Sequence, residues 1–156
     1  MTTEQRTIEF HQAFNHPVRD APQTLCRTEA LLALKLIEEE FLELAEALFP
    51  ATASVGYGED WDVTLTDLIE ESPELYAYEP NLIEVADALA DLDVVINGAG
   101  IRHGFDMQAL SREVFSSNMS KLDADGKPIY HPNGKIAKSE LFREPDIAGA
   151  LGLVAA

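Results

Sequence analysis

The sequence has few of the features that mark several large classes of protein. Among its 156 residues there is one cysteine, Cys26, which excludes an internal disulfide and a thiolate metal cluster. No apolar run approaches the length of a membrane-spanning helix, and the first residues lack the apolar region of a signal peptide. We therefore expect a cytoplasmic protein with no membrane partner.

Positive charge is also scarce. The chain has 11 lysines and arginines against 28 aspartates and glutamates, a net charge of −17. Such a surface repels phosphates, so passive binding to a nucleic-acid polymer or an anionic membrane is not expected. Glycine-rich phosphate loops and internal repeats are missing as well. With 46% apolar residues, the length predicts one globular domain over residues 1–156.

Apolar residues recur at three- and four-residue intervals, which predicts an all-α fold with a four-helix core. The connector between the second and third core helices contains glycine, proline and a short helix. After the fourth core helix, the turn dipeptides Asp125-Gly126 and Asn133-Gly134 predict a small hairpin or ordered loop at 125–138. The core helices are expected at 3–15, 24–49, 82–98 (or slightly beyond) and 107–121, the connector at 51–81 with its helix at 64–71, and a short terminal helix at 147–154.

The same spacing predicts which faces turn inward. In the first helix it places Ile8, Phe10 and Phe14 inside, and in the fourth it places five residues inside: Met107, Leu110, Val114, Phe115 and Met119. Asp106 precedes that fourth helix and has the side chain of an N-cap. His11 is interpreted in two ways, as a ligand-facing residue or as a partly buried helix residue.

Two acidic stretches, 36–43 and 84–91, lie on the second and third core helices. Helical geometry places the acids of each stretch on one face, beside an apolar stripe. Packing through those stripes would bring five or six carboxylates together, which is costly unless a cation neutralises them. Oxygen ligands select Mg²⁺, with Mn²⁺ as a possible substitute. A solvated charged face is the alternative interpretation. The acids are Glu39, Glu40, Glu43, Glu84, Asp87 and Asp91.

Basic residues cluster where the fourth helix ends. Four of the eleven lie there: Lys121, Lys127, Lys135 and Lys138. Asn118 stands three residues before Lys121 and so shares its face. Together with carboxylates on two helices, these groups suit a phosphate ester bridged to the protein by metal. A plain C-terminal cap is the alternative role for Asn118 and Lys121.

At this point a family resemblance emerges. Glu39-Glu40-x-x-Glu43, followed by an acidic helix, resembles the signature of the all-α nucleoside triphosphate pyrophosphohydrolases. That superfamily includes MazG-like enzymes, dimeric dUTPases and phosphoribosyl-ATP pyrophosphatase. Phe10-His11, residues 91–98 and Asn118-Met-Ser-Lys121 with the following Asp-Gly-Lys loop are similar too, so the resemblance covers residues 8–140.

The resemblance implies Mg²⁺-dependent hydrolysis of a (deoxy)nucleoside triphosphate to the monophosphate and pyrophosphate, with dUTP or another pyrimidine deoxynucleotide favoured. It also implies a homodimer or homotetramer. Glu39 would orient or activate water. The implied metal ligands are Glu40, Glu43, Asp87 and Asp91, with Glu84 a further candidate because the second motif admits two registers. The implied substrate contacts are Asn118, Lys121, Lys127, Lys138 and His11.

A different class of function competes with this one. The charge of −17 also suits a non-enzymatic acidic helical module that binds a basic protein partner. Such a module would bind its partner without metal and would not need the lysine cluster.

Overall fold

A computed structural model of the chain describes residues 1–54 and 64–153. Residues 55–63 of the expected connector and Val154, the expected last residue of the terminal helix, lie outside this description. A 3₁₀ turn at Pro50–Ser54 follows the second helix. The described residues form six α-helices: α1 (Thr3–Ala13), α2 (Arg27–Leu48), α3 (Leu65–Glu71), α4 (Leu82–His103), α5 (Met107–Met119) and α6 (Ile147–Ala150).

The all-α prediction is confirmed. Within the described residues, the β-structure consists of one isolated antiparallel bridge between Tyr130 and Ile136. His131 N donates to Lys135 O at 2.8 Å, and Ala137 N donates to Ile129 O at 2.7 Å. These bonds close the small hairpin expected at 125–138. No helix in the described part of the chain is both long and apolar enough to cross a membrane.

Local side-chain chemistry explains where the helices begin. Thr2 Oγ1 accepts from Gln5 N at 3.2 Å while Gln5 Oε1 accepts from Thr2 N at 2.9 Å, a capping box at the start of α1. The expected N-cap Asp106 is confirmed, because its Oδ1 accepts from Ala109 N at 2.7 Å.

Several helix ends differ from the prediction: α1 ends at Ala13, α2 runs from Arg27 to Leu48, and α6 ends at Ala150. Helix α4 continues through Gly98 and Gly100 to His103, because glycine in a helix costs only about 1 kcal/mol and does not break it. Gly104, with φ of +74°, is the glycine that follows the end of α4. Helix α5 ends at Met119 instead of residue 121.

The predicted inner faces of two helices are wrong in part, since Ile8, Met107 and Leu110 are partly buried but the other predicted residues are exposed. Phe10 and Phe14 are 47% and 63% exposed, while Thr7 and His11 are buried in α1. In α5, Phe115 is 65% exposed, and the described buried residue is a serine, Ser117. These polar side chains tolerate burial because each has a hydrogen-bond partner: Thr7 with Thr3 O, His11 with Pro17 O and Ser117 with Arg143 O.

The chain divides into two compact units, so the single domain over 1–156 stays a prediction. One unit comprises Met1–Thr24 and Gly100–Ala156, and the other comprises Leu25–Ala99. In the first unit, the segment after α1 attaches to the last turn of α4: Arg19 N donates to Ile101 O at 3.3 Å and Gln23 N to His103 O at 2.9 Å. These bonds satisfy carbonyls that a helix end leaves without intrahelical partners.

Candidate functional site

Two backbone hydrogen bonds join the end of α2 to the start of α4. Asn81 N donates to Ala47 O at 2.9 Å, and Glu79 N donates to Leu48 O at 3.2 Å. At about 1.5 Å per residue, Glu40 lies about 10 Å back along α2 from Ala47. Asp87 lies about 9 Å forward along α4 from Asn81. The charges of Asp87 and Asp91 act on Glu40, so this part of α4 lies near Glu40.

Glu40 is the most perturbed carboxylate of this cluster. Its residue is partly buried, and its Oε2 atom is fully buried without a hydrogen-bond partner among the described residues. Burial is the largest cause that raises the pKa of the Glu40 carboxyl. Four neighbouring carboxylates raise it further, in decreasing order Glu43, Asp91, Glu39 and Asp87. Negative charge is therefore concentrated around one buried oxygen.

This electrostatic environment includes five of the six acids that the sequence analysis selected. Glu84 is not among the carboxylates that raise the pKa of Glu40. Glu84 lies only about 4.5 Å along α4 from Asn81, in the first turn of the helix. Asp87 and Asp91 lie one and two turns farther along the same face.

The donor chemistry fits a hard cation, since every group is a carboxylate oxygen. The orphaned Oε2 of Glu40 fits it too, because an unpaired buried carboxylate oxygen is costly without a partner. Within residues 1–54 and 64–153, however, no three such side chains lie close enough together to hold one ion as they stand. Mutual repulsion of like charges favours this separation, and rotation about the side-chain torsions would be needed to close the site.

The predicted substrate contacts lie in the other unit, mostly near the end of α5. Lys121 Nζ donates a hydrogen bond to Asn118 Oδ1 at 2.7 Å, so the two side chains are in contact on one face of the chain, as their spacing predicts. Lys138 is otherwise engaged: its Nζ pairs with Glu144 Oε1 at 2.9 Å and lies 4.1 Å from the centre of the Phe142 ring. Lys127 has an exposed side chain, and its backbone N donates to Asp123 Oδ1 at 2.8 Å.

Sequence reasoning missed Ser139, which holds the chain on both sides of Lys121. Its Oγ lies 2.7 Å from Leu122 O and 3.1 Å from Ser120 O, the carbonyls that flank Lys121. Arg143 adds a second attachment, with Nη1 donating to Glu113 Oε1 at 2.7 Å. A serine and an arginine in a loop carry no sequence signal for such contacts, because their partners lie 17 or more residues away.

His11 is buried, at 5% exposure, and its Nδ1 lies 3.0 Å from Pro17 O. Since a carbonyl can only accept, Nδ1 carries the proton in this hydrogen bond and Nε2 is the other nitrogen of the neutral ring. Burial is the main cause that lowers the pKa of His11, followed by the charges of Arg102 and His16. The geometry matches the interpretation of His11 as a buried helix residue, and its predicted role in substrate binding stays a prediction.

Comparison with known proteins identifies the family. The family described as phosphoribosyl-ATP pyrophosphohydrolase matches residues 7–118, well over half of the chain. The match includes both acidic stretches and ends at Asn118. No curated protein matches the chain. The chain therefore belongs to the phosphoribosyl-ATP pyrophosphohydrolase family, which is part of the all-α nucleoside triphosphate pyrophosphatase superfamily.

Proposed function

We propose that the protein hydrolyses a nucleoside triphosphate between its α- and β-phosphorus atoms, yielding a nucleoside monophosphate and pyrophosphate. Membership of a pyrophosphohydrolase family supports an enzyme that acts on a nucleotide-like substrate. The observation that carries the proposal within this chain is the carboxylate cluster around the buried Oε2 of Glu40. A cluster of this kind is stabilised by a divalent cation, and cleavage of a polyphosphate is assisted by one.

We assign Glu40, Glu43, Asp87 and Asp91 to hold Mg²⁺, with Mn²⁺ as a substitute. When bound, the metal would neutralise phosphate oxygens and polarise the phosphorus. The side-chain oxygens of the four acids supply only hard ligands, which favours these ions over zinc or iron. Glu84 is the weaker candidate, because its charge is not among those that raise the pKa of Glu40.

Glu39 acts on water in this proposal. It is exposed and adjacent to Glu40, so its carboxylate is available outside the ligand set. Glu39 accepts a proton from water while the water oxygen forms a bond to the α-phosphorus. The bond from that phosphorus to the bridging oxygen breaks, and pyrophosphate leaves with the electron pair. Atoms and charge then balance without any further reactant.

Two substrates are consistent with this chemistry. The sequence resemblance favours dUTP or another pyrimidine deoxynucleotide, whereas the matching family is described by phosphoribosyl-ATP. Both carry a 5′-triphosphate that is cleaved at the same bond. We further propose that Lys121 and Asn118 contact the sugar or phosphates, and that Lys127, Lys138 and His11 have secondary contacts. Lys138 would first have to leave its pair with Glu144.

We also propose that the protein is a homodimer or homotetramer in the cytoplasm. Large apolar side chains on its helices are exposed: Leu34 by 64%, Leu82 by 77%, Ile83 by 82% and Leu89 by 52%. Exposed apolar patches in soluble proteins mark association sites, and another copy of the chain would cover such a face. Light scattering after gel filtration measures the molar mass directly. A mass of 17.1 kDa at micromolar concentration would contradict an oligomer.

A pyrophosphate-release assay tests the enzymatic proposal. The panel comprises dUTP, dCTP, the other common nucleotides and phosphoribosyl-ATP, each with Mg²⁺, with Mn²⁺ and with EDTA. We expect turnover that requires metal and falls at least 100-fold in Glu43→Gln, because one metal ligand loses its charge. Glu38→Gln is the matched control, since Glu38 is exposed on the same helix and does not perturb Glu40. No turnover of any substrate would contradict the proposal.

The acidic-module alternative makes the opposite predictions. If the protein is such a module, a basic protein partner should bind without metal. Mg²⁺ together with a non-hydrolysable nucleotide should then leave the melting temperature unchanged. If the protein is the proposed enzyme, the two ligands together should raise the melting temperature.

A further inference from the structure

One face of α5 is polar. Its four residues are spaced three and four apart, so they lie on one side of the helix. Ser117 is buried there, and Glu113 and Ser120 are partly buried. Buried polar side chains need hydrogen-bond partners, so this face must be paired with another part of the chain. The four residues are Glu113, Ser116, Ser117 and Ser120.

Arg143 is the partner of this polar face. Its backbone is held on both sides, because Arg143 O accepts from Ser117 Oγ at 2.9 Å and Arg143 N donates to Ser120 Oγ at 3.0 Å. Its guanidinium reaches the preceding turn of α5, where Nη1 donates to Glu113 Oε1 at 2.7 Å and Nη2 donates to Ser116 Oγ. One arginine therefore contacts all four residues of the polar face.

Glu113 also holds the chain beyond Arg143. The same Oε1 atom accepts a hydrogen bond from Asp146 N at 2.9 Å, so one carboxylate oxygen attaches both ends of the segment 143–146 to α5. The hydrogen bond from Arg143 and then that from Asp146 lower the pKa of the Glu113 carboxyl. Glu113 is therefore ionised at neutral pH, and its hydrogen bond with Arg143 is of the stronger, charge-assisted kind.

The attached segment in turn holds the backbone around Lys121. Ser139 Oγ lies 2.7 Å from Leu122 O and 3.1 Å from Ser120 O, the carbonyls on either side of Lys121. Ser120 is also the residue to which Arg143 N donates. Arg143 thus fixes the backbone at Lys121 both directly, through Ser120, and through the segment that contains Ser139.

We propose that Arg143 and Glu113 are positioning residues that hold Lys121 in place for the phosphates of the nucleotide. This inference rests on the proposed function, in which Lys121 contacts the substrate. Lysine carries its charge on a flexible four-carbon stem, so a fixed backbone limits where the ammonium group can lie. In this arrangement neither Arg143 nor Glu113 needs to touch the substrate.

Steady-state kinetics with Mg²⁺ test the proposal, with dUTP, dCTP and phosphoribosyl-ATP as the substrates. Arg143→Met should raise KM about fivefold and leave kcat within about twofold, because a substrate contact is displaced while the carboxylate cluster is intact. Arg112→Met is the matched control. It removes the same charge from an exposed position on α5 and should leave KM unchanged.

A double variant separates positioning from a general structural role. Lys121→Met alone should raise KM about tenfold, because it removes a charged contact to phosphate. If Arg143 acts through Lys121, adding Arg143→Met to Lys121→Met should raise KM by less than about twofold more. Residues that act independently would instead show effects that multiply.

Glu113 provides a second pair of variants, which tests the same contact if Arg143→Met does not fold. Glu113→Gln keeps an oxygen that can accept from Arg143 Nη1 and Asp146 N, so KM should stay within about twofold of the wild type. Glu113→Leu removes that acceptor, and KM should rise as it does in Arg143→Met.

Two results would overturn this inference and leave the proposed hydrolysis standing. One is an unchanged KM in both Arg143→Met and Glu113→Leu, whatever happens to kcat. The other is an effect of Arg143→Met that multiplies fully with that of Lys121→Met, which would give Arg143 a role independent of the lysine. A wild type that hydrolyses none of the substrates would instead contradict the proposed function, and this inference with it.

Discussion

Neutralising Glu40 should make the metal-free protein more stable. In the native fold the Glu40 Oε2 is buried without a hydrogen-bond partner among residues 1–54 and 64–153, and four other carboxylates act on the same side chain. Glu40→Gln keeps the shape and removes the charge. The new amide can also donate to a neighbouring carboxylate, which the native oxygen cannot do.

The magnitude follows from two terms. An unsatisfied buried acceptor costs about 1–3 kcal/mol, and a like-charge pair such as Glu40 and Glu43 costs a few tenths of a kcal/mol on a helix. Because Glu40 is only partly buried, we expect the lower end, a gain of about 1 kcal/mol in the free energy of unfolding. For a chain of this size, that gain corresponds to an increase of about 2–4 °C in melting temperature.

Urea and thermal unfolding in EDTA measure this gain, with Glu38→Gln as the matched control. Added Mg²⁺ should make the wild type the more stable of the two proteins. The ion stabilises the wild type by binding to it, whereas Glu40→Gln lacks one of the metal ligands. The reasoning is refuted if Glu40→Gln is less stable than the wild type in EDTA while the control is unchanged. It is equally refuted if Mg²⁺ stabilises both proteins to the same extent.

Three other substitutions test the fold and the site. Gly104→Ala should destabilise by about 2 kcal/mol more than Gly126→Ala: both glycines have φ of +74°, but an added Cβ would lie 2.2 Å from Ala21 O only at Gly104. Equal losses in urea unfolding would refute this close approach. Ser139→Ala should raise KM about fivefold with little change in kcat. The reason is that a hydrogen bond worth about 1 kcal/mol holds the backbone carbonyls on either side of Lys121. An unchanged KM would show that Ser139 does not contribute to substrate binding. In phosphate-free buffer, the wild type should lose stability as pH falls below 6.5, because the unfolded chain protonates His11 before the native fold does. His11→Gln should not show this loss of stability at low pH, whereas His131→Gln, a control at an exposed histidine, should still show it. If the wild type and both variants lose the same amount of stability, the loss does not come from His11.

Part of the candidate site follows from sequence and part does not. The spacing of Glu39, Glu40 and Glu43 places them together on any α-helix, so this half of the cluster was predictable. The other half depends on how far α4 is offset from α2, which the bond from Asn81 N to Ala47 O helps to set. Sequence analysis therefore left Glu84 open, while Asp87 and Asp91, and not Glu84, are among the charges that raise the pKa of Glu40.

The sequence by itself determined the features that depend on interactions within about four residues: the helices, the N-caps at Thr2 and Asp106, and the turns of the 125–138 hairpin. Tertiary structure alone decided which face of α1 is buried and that Ser139 reaches the carbonyls beside Lys121. The physical reason is that helix and turn energies depend on near neighbours in the chain, whereas burial and charge pairing depend on residues brought together from far apart.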